Sequence, residues 1–585
     1  MKATTVLLLL VCSLRTPAQP YDLVNKPWDA RWIAAPNEPE HDYGVYQFRK
    51  TFDVPARPDS FIVHISADNR YKMYVNGRLA SLGPARGDIY HWNYETVNIA
   101  PFLTSGKNVI AVVVWNFAEK RPEAQISYQT GLIIQASSPR EQVVNTNNSW
   151  KVRRDSSYLP REPRPVYSYY VAGPTEFIDY HKAAAGWSDA DFDDSKWSQA
   201  HVITQGLPKG VFGYGLGWML VPRGIPQMEL VPQRLTSLRN SEGAIVGKKF
   251  PAAIEAFTIE PHTTATLLLD QGFLTDAYPV LQFAKGRDAS ITIGYAESLY
   301  VPENNASDPR TFHQKGDRNQ VDGKVFIGAS DSLVADGREH EFTSLWWRCF
   351  RYVMVTVRTA NEPLQIDDFY GIRTGFPFTQ RAKFVAGNDT LDRILNTGWR
   401  TATNCAVETY MDCPYYEQLQ YVGDTRIQAL VSLFYAGDDR LMRNAITLIN
   451  DSRMAEGITL SRYPTANAQE IPPFSLWWIG MVHDYWMYRN DPRFVAQNLA
   501  GIRQVLNFFH QYQQPNGSLK GLPYWNFTDW CDAKGWSNGM APVGKDGSCA
   551  ALDLQLLWAY QLAAELEEQL GMKSFATAYR AAARQ

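Results

Sequence analysis

A surplus of charge of either sign is what this 585-residue sequence most plainly lacks: 57 Lys and Arg stand against 60 Asp and Glu, a net charge of −3. Without a basic field to hold a phosphate backbone, nucleic acid is not an expected partner. Long hydrophobic runs are equally scarce. One near the start, Val6–Val11, follows Lys2 and precedes Thr16-Pro17-Ala18. Positive charge, apolar stretch, then small residues is the order of a secretory signal, read here as residues 1–18. The run falls short of the roughly 20 apolar residues a spanning helix needs, so no integral membrane segment is expected once the signal is removed. A secreted protein, periplasmic or extracellular, is the corresponding expectation. A lipid anchor through Cys12 ranks second, because Val11 is a poor residue before a lipidated cysteine.

Cysteine is sparse. Of six, Cys12 falls in the signal, and Cys349, Cys405, Cys413, Cys531 and Cys549 are left, an odd number without Cys-x-x-Cys spacing. This excludes a disulfide framework and a zinc site, and the ten dispersed histidines form no His-Glu-x-x-His. Neither a metal nor a cofactor is expected. Gly (39) and Pro (34) are at ordinary levels, which excludes collagen-like and low-complexity chains.

What the sequence has in excess is aromatic: 18 Trp, 31 Tyr and 27 Phe make 13% of the chain. Flat rings with a polar handle suit the C–H faces and hydroxyls of sugars, although most such rings fill cores. The length is enough for about four domains. Residues 45–135 read as β-sandwich: Phe61–Ile65, Tyr71–Val75 running into an Asn76-Gly77 hairpin turn, and Val109–Trp115. Residues 160–215 are rich in Pro, Gly and aromatics and suit a loop system, with Gly213–Gly217 read as a turn. A second β block follows with Thr264–Asp270, Tyr278–Phe283, Ser290–Tyr295 and Tyr352–Thr359 as short strands. Near residue 385 the apolar period turns helical. Leu391, Ile394, Leu395 and Trp399 share one face, as do Ile427, Leu430, Val431 and Phe434, and about seven helices are expected to the end.

The segment from Tyr410 to Asp424 carries three carboxylates, Asp412, Glu417 and Asp424, among four tyrosines. If a helix opens at Pro414, Asp412 caps it, Glu417 and Tyr421 are one turn apart, and Asp424 lies two turns beyond Glu417. A carboxyl walled by rings and neighboured by carboxylates has its pKa raised, as a general acid working near neutrality requires. On spacing alone Asp412 is equally a helix cap, and Glu417 could be a solvated surface residue.

The Asp412-Cys413-Pro414…Glu417…Gly423-Asp424 segment resembles the signature of the inverting bacterial α-L-rhamnosidases, glycosidases with an (α/α)6 six-hairpin barrel. Trp32-Ile33-Ala34-Ala35-Pro36, Ala67-Asp68-Asn69-Arg70-Tyr71-Lys72 and Phe192-Asp193-Asp194-Ser195-Lys196-Trp197 resemble that family's N-terminal galactose-binding-like jelly roll. Tyr295–Tyr300 and Trp346-Trp347-Arg348-Cys349-Phe350-Arg351-Tyr352 resemble its second β domain. The resemblance implies a multidomain β + α chain. Its parts are a galactose-binding-like β-sandwich region at 21–222, a second β-sandwich at 223–378, and a partial (α/α)6 barrel at 379–585. About seven helices are fewer than six hairpins require, and Ala576–Ala583 is still helix-patterned, so the barrel is expected to be truncated.

The same resemblance implies site residues. Glu417 matches the general acid, Asp412 and Asp424 the carboxylates that hold rhamnose hydroxyls, and Tyr421 a position where many members have a Trp packed on the sugar. Arg462, Trp477, Trp478, Asp529 and Trp530 resemble residues of barrel loops lining the pocket, with one of Trp477 and Trp478 expected in the core. The implied partner is a rhamnose-containing glycan or glycoside. Inversion also needs a second carboxylate. Glu565, Glu567 and Glu568 lie on an ordinary charged helix and are poor substitutes, so no base is named. The alternative is a carbohydrate-binding remnant without turnover.

Overall fold

The structure is a computed structural model that describes residues 20–162, 169–212, 217–302, 314–385 and 387–585. The signal at 1–18, with Cys12, and most of the Gly213–Gly217 turn lie outside the described residues.

A six-stranded and a seven-stranded sheet pack face to face in the N-terminal unit. Phe48, Met73 and Val112 from one and Ile65, Leu132 and Ile134 from the other meet in a shared core. Alternation drives this, since inward positions of a half-buried strand recur every second residue. The Asn76-Gly77 turn is present, with both residues in the left-handed region (φ 50° and 77°), and it joins Arg70–Val75 to Arg78–Gly83. The two-residue hairpin favours that conformation because its twist matches the strands.

Among the described residues the second β unit is one eleven-stranded sheet. Thr264–Lys285 is a single continuous strand rather than two. Before its irregularity between Asp270 and Thr275 it pairs with Ser237–Glu242, and after it with His340–Thr343 and Leu364–Gly375. Such a bulge bends one sheet around its own core. Part of the stretch expected to be loop is strand, and it belongs here: Thr175–Asp179 pairs with Tyr158–Arg161 and runs parallel to Ala329–Val334. Its anchor is Glu176, which accepts from the Leu345 N–H (2.8 Å) and from Arg348 (3.1 Å).

Among the described residues seven α-helices follow: α1 (Asp389–Asn404), α2 (Val422–Ala436), α3 (Arg440–Asp451), α4 (Pro472–Tyr488), α5 (Pro492–His510), α6 (Ala550–Leu570) and α7 (Lys573–Arg584). Their starts follow local chemistry. Asn388 caps α1, Asp491 caps α5, and Pro occupies the first turn of α4 and α5, where its missing N–H costs nothing. Ile446, Trp478, Ile479, Val505, Phe509 and Leu556 lie in the common core. The expected apolar faces of α1 and α2 are only partly covered, with Leu395, Trp399, Leu430 and Val431 half-buried. Leu391, Ile394, Ile427 and Phe434 are exposed, and α2 buries Thr425, Ala429, Ser432, Leu433 and Ala436 instead. The period was legible in the sequence, but the side that packs depends on what lies opposite.

Buried ion pairs lock the three units together. Arg70 of the N-terminal unit makes a two-pronged contact with Glu408 of the helical domain, at 2.7 and 2.9 Å. Its guanidinium lies 4.0 Å over the ring of Trp346 from the second β unit.

Candidate active site

Residues 412–421 form a loop, not the first turns of a helix, which corrects the expectation that Pro414 opens one. Asp412 N–H donates to the Leu419 carbonyl (2.9 Å) and Gln418 N–H to the Cys413 carbonyl (2.8 Å). Gln418 sits in the left-handed region (φ 59°), which a helix does not admit. Asp412 therefore caps no helix, and α2 begins only at Val422, with Asp424 in its first turn. Three domains hold the loop. Gln418 Oε1 accepts from Trp346 Nε1 at 2.9 Å and from Arg86 at 3.5 Å, while Tyr410 Oη and Ser432 Oγ bond at 2.6 Å.

The loop presents its acids to a cavity of about 900 Å³. Glu417 and Asp412 are hydrogen-bonded to each other through their side chains. Burial first, and then the Asp412 charge, push the Glu417 carboxyl up to about 8. Asp412 is itself raised by burial and opposed by the hydrogen bond it accepts from Glu417. Asp424 is raised to about 6 by burial and the Asp412 charge. One proton shared between neighbouring buried carboxyls is the arrangement that separates an acid from a carboxylate at neutral pH.

Tyr421, Arg462, Trp477, Asp529 and Trp530 line the same cavity. Arg462 donates to Tyr421 Oη at 2.7 Å and pairs with Glu123 at 3.2 Å. Asp529 and Trp530 lie on a loop tied by two N–H bonds to the Gly539 carbonyl, and Trp530, 71% exposed, packs edge-on against Phe527. Trp477 is on the helix α4 rather than a loop, beneath Arg426 (5.4 Å) and beside Trp558. Trp478, its neighbour in sequence, is not a wall residue: successive residues on a helix point about 100° apart. It is fully buried, with Nε1 donating to the Ile446 carbonyl at 3.1 Å. Sequence reasoning missed Glu123 and Tyr169, which reach the cavity from the N-terminal part of the chain. No local motif marks them, since Glu123 meets Arg462 across 339 residues.

The three glutamates of α6 are engaged elsewhere. Glu565 bonds His483 (2.8 Å), Glu567 pairs with Arg503 (2.6 Å), and Glu568 with Arg580 (2.8 Å). Among the described residues no group of His, Cys, Asp and Glu is placed to hold a metal ion, and no helix is long and apolar enough to cross a membrane.

Two β units packed on helical hairpins, with paired carboxyls facing an aromatic cavity, define the build of a glycosidase. Comparison with known families narrows that class. The model described as the α-L-rhamnosidase N-terminal domain matches residues 56–212, and the one described as the bacterial α-L-rhamnosidase six-hairpin glycosidase domain matches 379–585. The chain belongs to the bacterial α-L-rhamnosidase family. An α-L-rhamnosidase of Alteromonas sp. (strain LOR) is 21% identical over 449 residues, 71% of this chain and 42% of that protein. The chain thus spans less than half the length of this curated relative. Among solved structures, a GH78-family rhamnosidase of Bacillus sp. GL1 superposes with a TM-score of 0.80 at 17% identity, covering 96% of this chain and 76% of the other. The α-L-rhamnosidase of Streptomyces avermitilis, solved with L-rhamnose, gives 0.64 at 15% identity, covering 93% and 48%. At these identities the superpositions establish the fold.

Proposed function

We propose that the chain acts on terminal α-L-rhamnose, releasing it from an oligosaccharide, polysaccharide or rhamnosylated small molecule by single-displacement inversion, with Glu417 as general acid. The observation that carries the reading is the Glu417–Asp412 pair at the cavity wall, within a domain of the rhamnosidase family. Burial and the Asp412 charge keep a proton on Glu417 near neutral pH. That proton goes to the glycosidic oxygen as the bond to the anomeric carbon breaks and water bonds to that carbon from the opposite face. The water's proton leaves to solvent, from which Glu417 regains one, and Asp412 and Asp424 accept hydrogen bonds from sugar hydroxyls. Arg462 lends its charge to the same wall through Tyr421. The 6-methyl group and ring C–H face of rhamnose fit the rings of Trp477, Trp525 and Trp530. No cofactor enters this scheme, and export under the 1–18 signal belongs to the same reading.

The test offers an aryl α-L-rhamnoside to the purified chain. Turnover giving the β-anomer first by proton NMR, and lost in Glu417→Gln while L-rhamnose still binds, supports the reading. Turnover that survives Glu417→Gln refutes the acid assignment. A second reading, a sugar-binding chain without turnover, draws on the engagement of Glu565, Glu567 and Glu568 in other contacts. Binding without hydrolysis in the unaltered chain favours it.

A further inference from the structure

A second cavity, of about 200 Å³, lies between the six-stranded sheet of the N-terminal unit and the second β unit, and shares no lining residue with the acid-bearing one. Tyr74 and Trp187 meet edge to face on one side (5.8 Å). Tyr180 lies against His340 on another (4.0 Å). The small side chains of Ala183, Ala184 and Ala185 leave room beneath the strap that carries them, and Ala185 and Glu341 are exposed there.

Parts of the wall are held rigidly. Gln47 is bonded at both ends, to Asp155 (2.7 Å) and Arg153 (2.8 Å), and His340 is fixed by Asp336 (2.7 Å). Other wall groups have hydrogen-bonding capacity to spare. The buried Lys72 ammonium has three donors. It gives one to the Ser344 carbonyl (2.7 Å) and faces the Tyr278 ring, leaving further donor capacity. Burial lowers its pKa to about 8, so it remains a donor at neutral pH. Tyr74, Tyr158 and Tyr180 are also wall residues, each with a hydroxyl that can donate and accept. A wall that joins an ammonium with donors to spare to several hydroxyls and carboxylates offers a polar ligand partners on more than one side.

We propose that this cavity is a non-catalytic binding site for a single pyranose residue of a glycan. The size fits one ring: about 200 Å³ lies below the roughly 300–1,000 Å³ of sites for drug-sized ligands. A pyranose supplies the matching groups, hydroxyls that both donate and accept, together with a C–H face for the edge of the Tyr74–Trp187 pair. Lys72 and the tyrosine hydroxyls donate to ring or hydroxyl oxygens. Asp155 and Glu341 are the wall's carboxylates that accept. The inference does not depend on the role of Glu417.

Titration calorimetry on the 585-residue chain, with L-rhamnose, D-glucose and D-glucuronate as probes, tests it. Ala184→Leu fills the cavity from the strap without touching either core. Tyr158→Phe removes one hydroxyl and keeps the ring. The expected result is a site for at least one probe whose affinity falls tenfold or more in Ala184→Leu and several-fold in Tyr158→Phe. Melting temperature and any aryl rhamnoside turnover should stay unchanged. If Asp424→Asn abolishes a different site, the two cavities bind separately. Should the acid-bearing cavity prove silent, binding sensitive to Ala184→Leu still upholds this inference and counts only against the proposed function. Absence of binding by all three probes, or binding indifferent to both substitutions, overturns it, and water alone then fills the cavity.

Discussion

Replacing Glu417 by Gln should change how stability depends on pH as well as remove the acid. The Glu417 carboxyl is raised from 4.5 to about 8 by burial and by Asp412. Between those values the folded chain holds a proton that the unfolded chain has released. Stability therefore falls as pH rises through the window, by at most about 1.4 kcal/mol per unit from this group. Asp424, raised from 3.8 to about 6, adds a slope of the same sign at the acid end. The amide introduced by Glu417→Gln keeps a donor for Asp412 but does not titrate. Over pH 5 to 8 the variant should gain on the parent by no more than about 4 kcal/mol, which for a domain of this size is several degrees in melting temperature. Thermal unfolding of both proteins at each pH gives the difference directly. A difference that stays flat, or shrinks with rising pH, would refute the claim that the folded site holds this proton. Asp412→Asn probes the cause. Without the neighbouring charge, the alkaline limb of aryl rhamnoside turnover should move below its parent position near pH 8. It should stay above 4.5, because burial, the larger effect, remains.

Three further outcomes follow from the contacts described. Arg70→Ala strands the buried Glu408 carboxylate with Arg223 at 3.7 Å as its remaining ion pair. It should cost about 3–5 kcal/mol in denaturant melts, and the double change Arg70→Met with Glu408→Leu distinctly less. Trp346→Phe deletes the donor to Gln418 beside Glu417. Turnover should drop by the equivalent of about 1–3 kcal/mol with KM nearly unchanged, whereas a parallel rise in KM would mean that the sugar-binding wall had moved. Trp478→Ala should lower stability by about 3–5 kcal/mol as a core deletion, while Trp477→Ala should weaken L-rhamnose binding with a smaller stability loss; calorimetry and melts separate the two.

The site was legible in the sequence where residue type and order carry the chemistry. Asp412, Glu417 and Asp424 stand in one short segment, and the cavity brings all three together with Tyr421, Arg462 and Asp529. The helix expected at Pro414 failed because Gln418 takes a left-handed conformation, clasped by Trp346 and Arg86 from other domains. Trp477 and Trp478 are indistinguishable as letters, and α4 turns one to the cavity and the other to the core.

Taken alone, the sequence determined what short-range physics decides: alternation in the β blocks, the change to a helical period near residue 385, about seven helices beyond it, and a carboxylate cluster among rings. Each of these depends on neighbours within a turn or two, so spacing and residue type suffice. Only the tertiary structure decided that Glu123 and Tyr169 cross from the N-terminal part to the acid-bearing cavity, and that α1 and α2 turn Leu391, Ile394, Ile427 and Phe434 outward. It also decided that a second cavity opens between two sheets. These depend on contacts between residues hundreds of positions apart, and burial, which sets both the packed face and the acidity of Glu417, belongs to the assembled chain rather than to any segment of it.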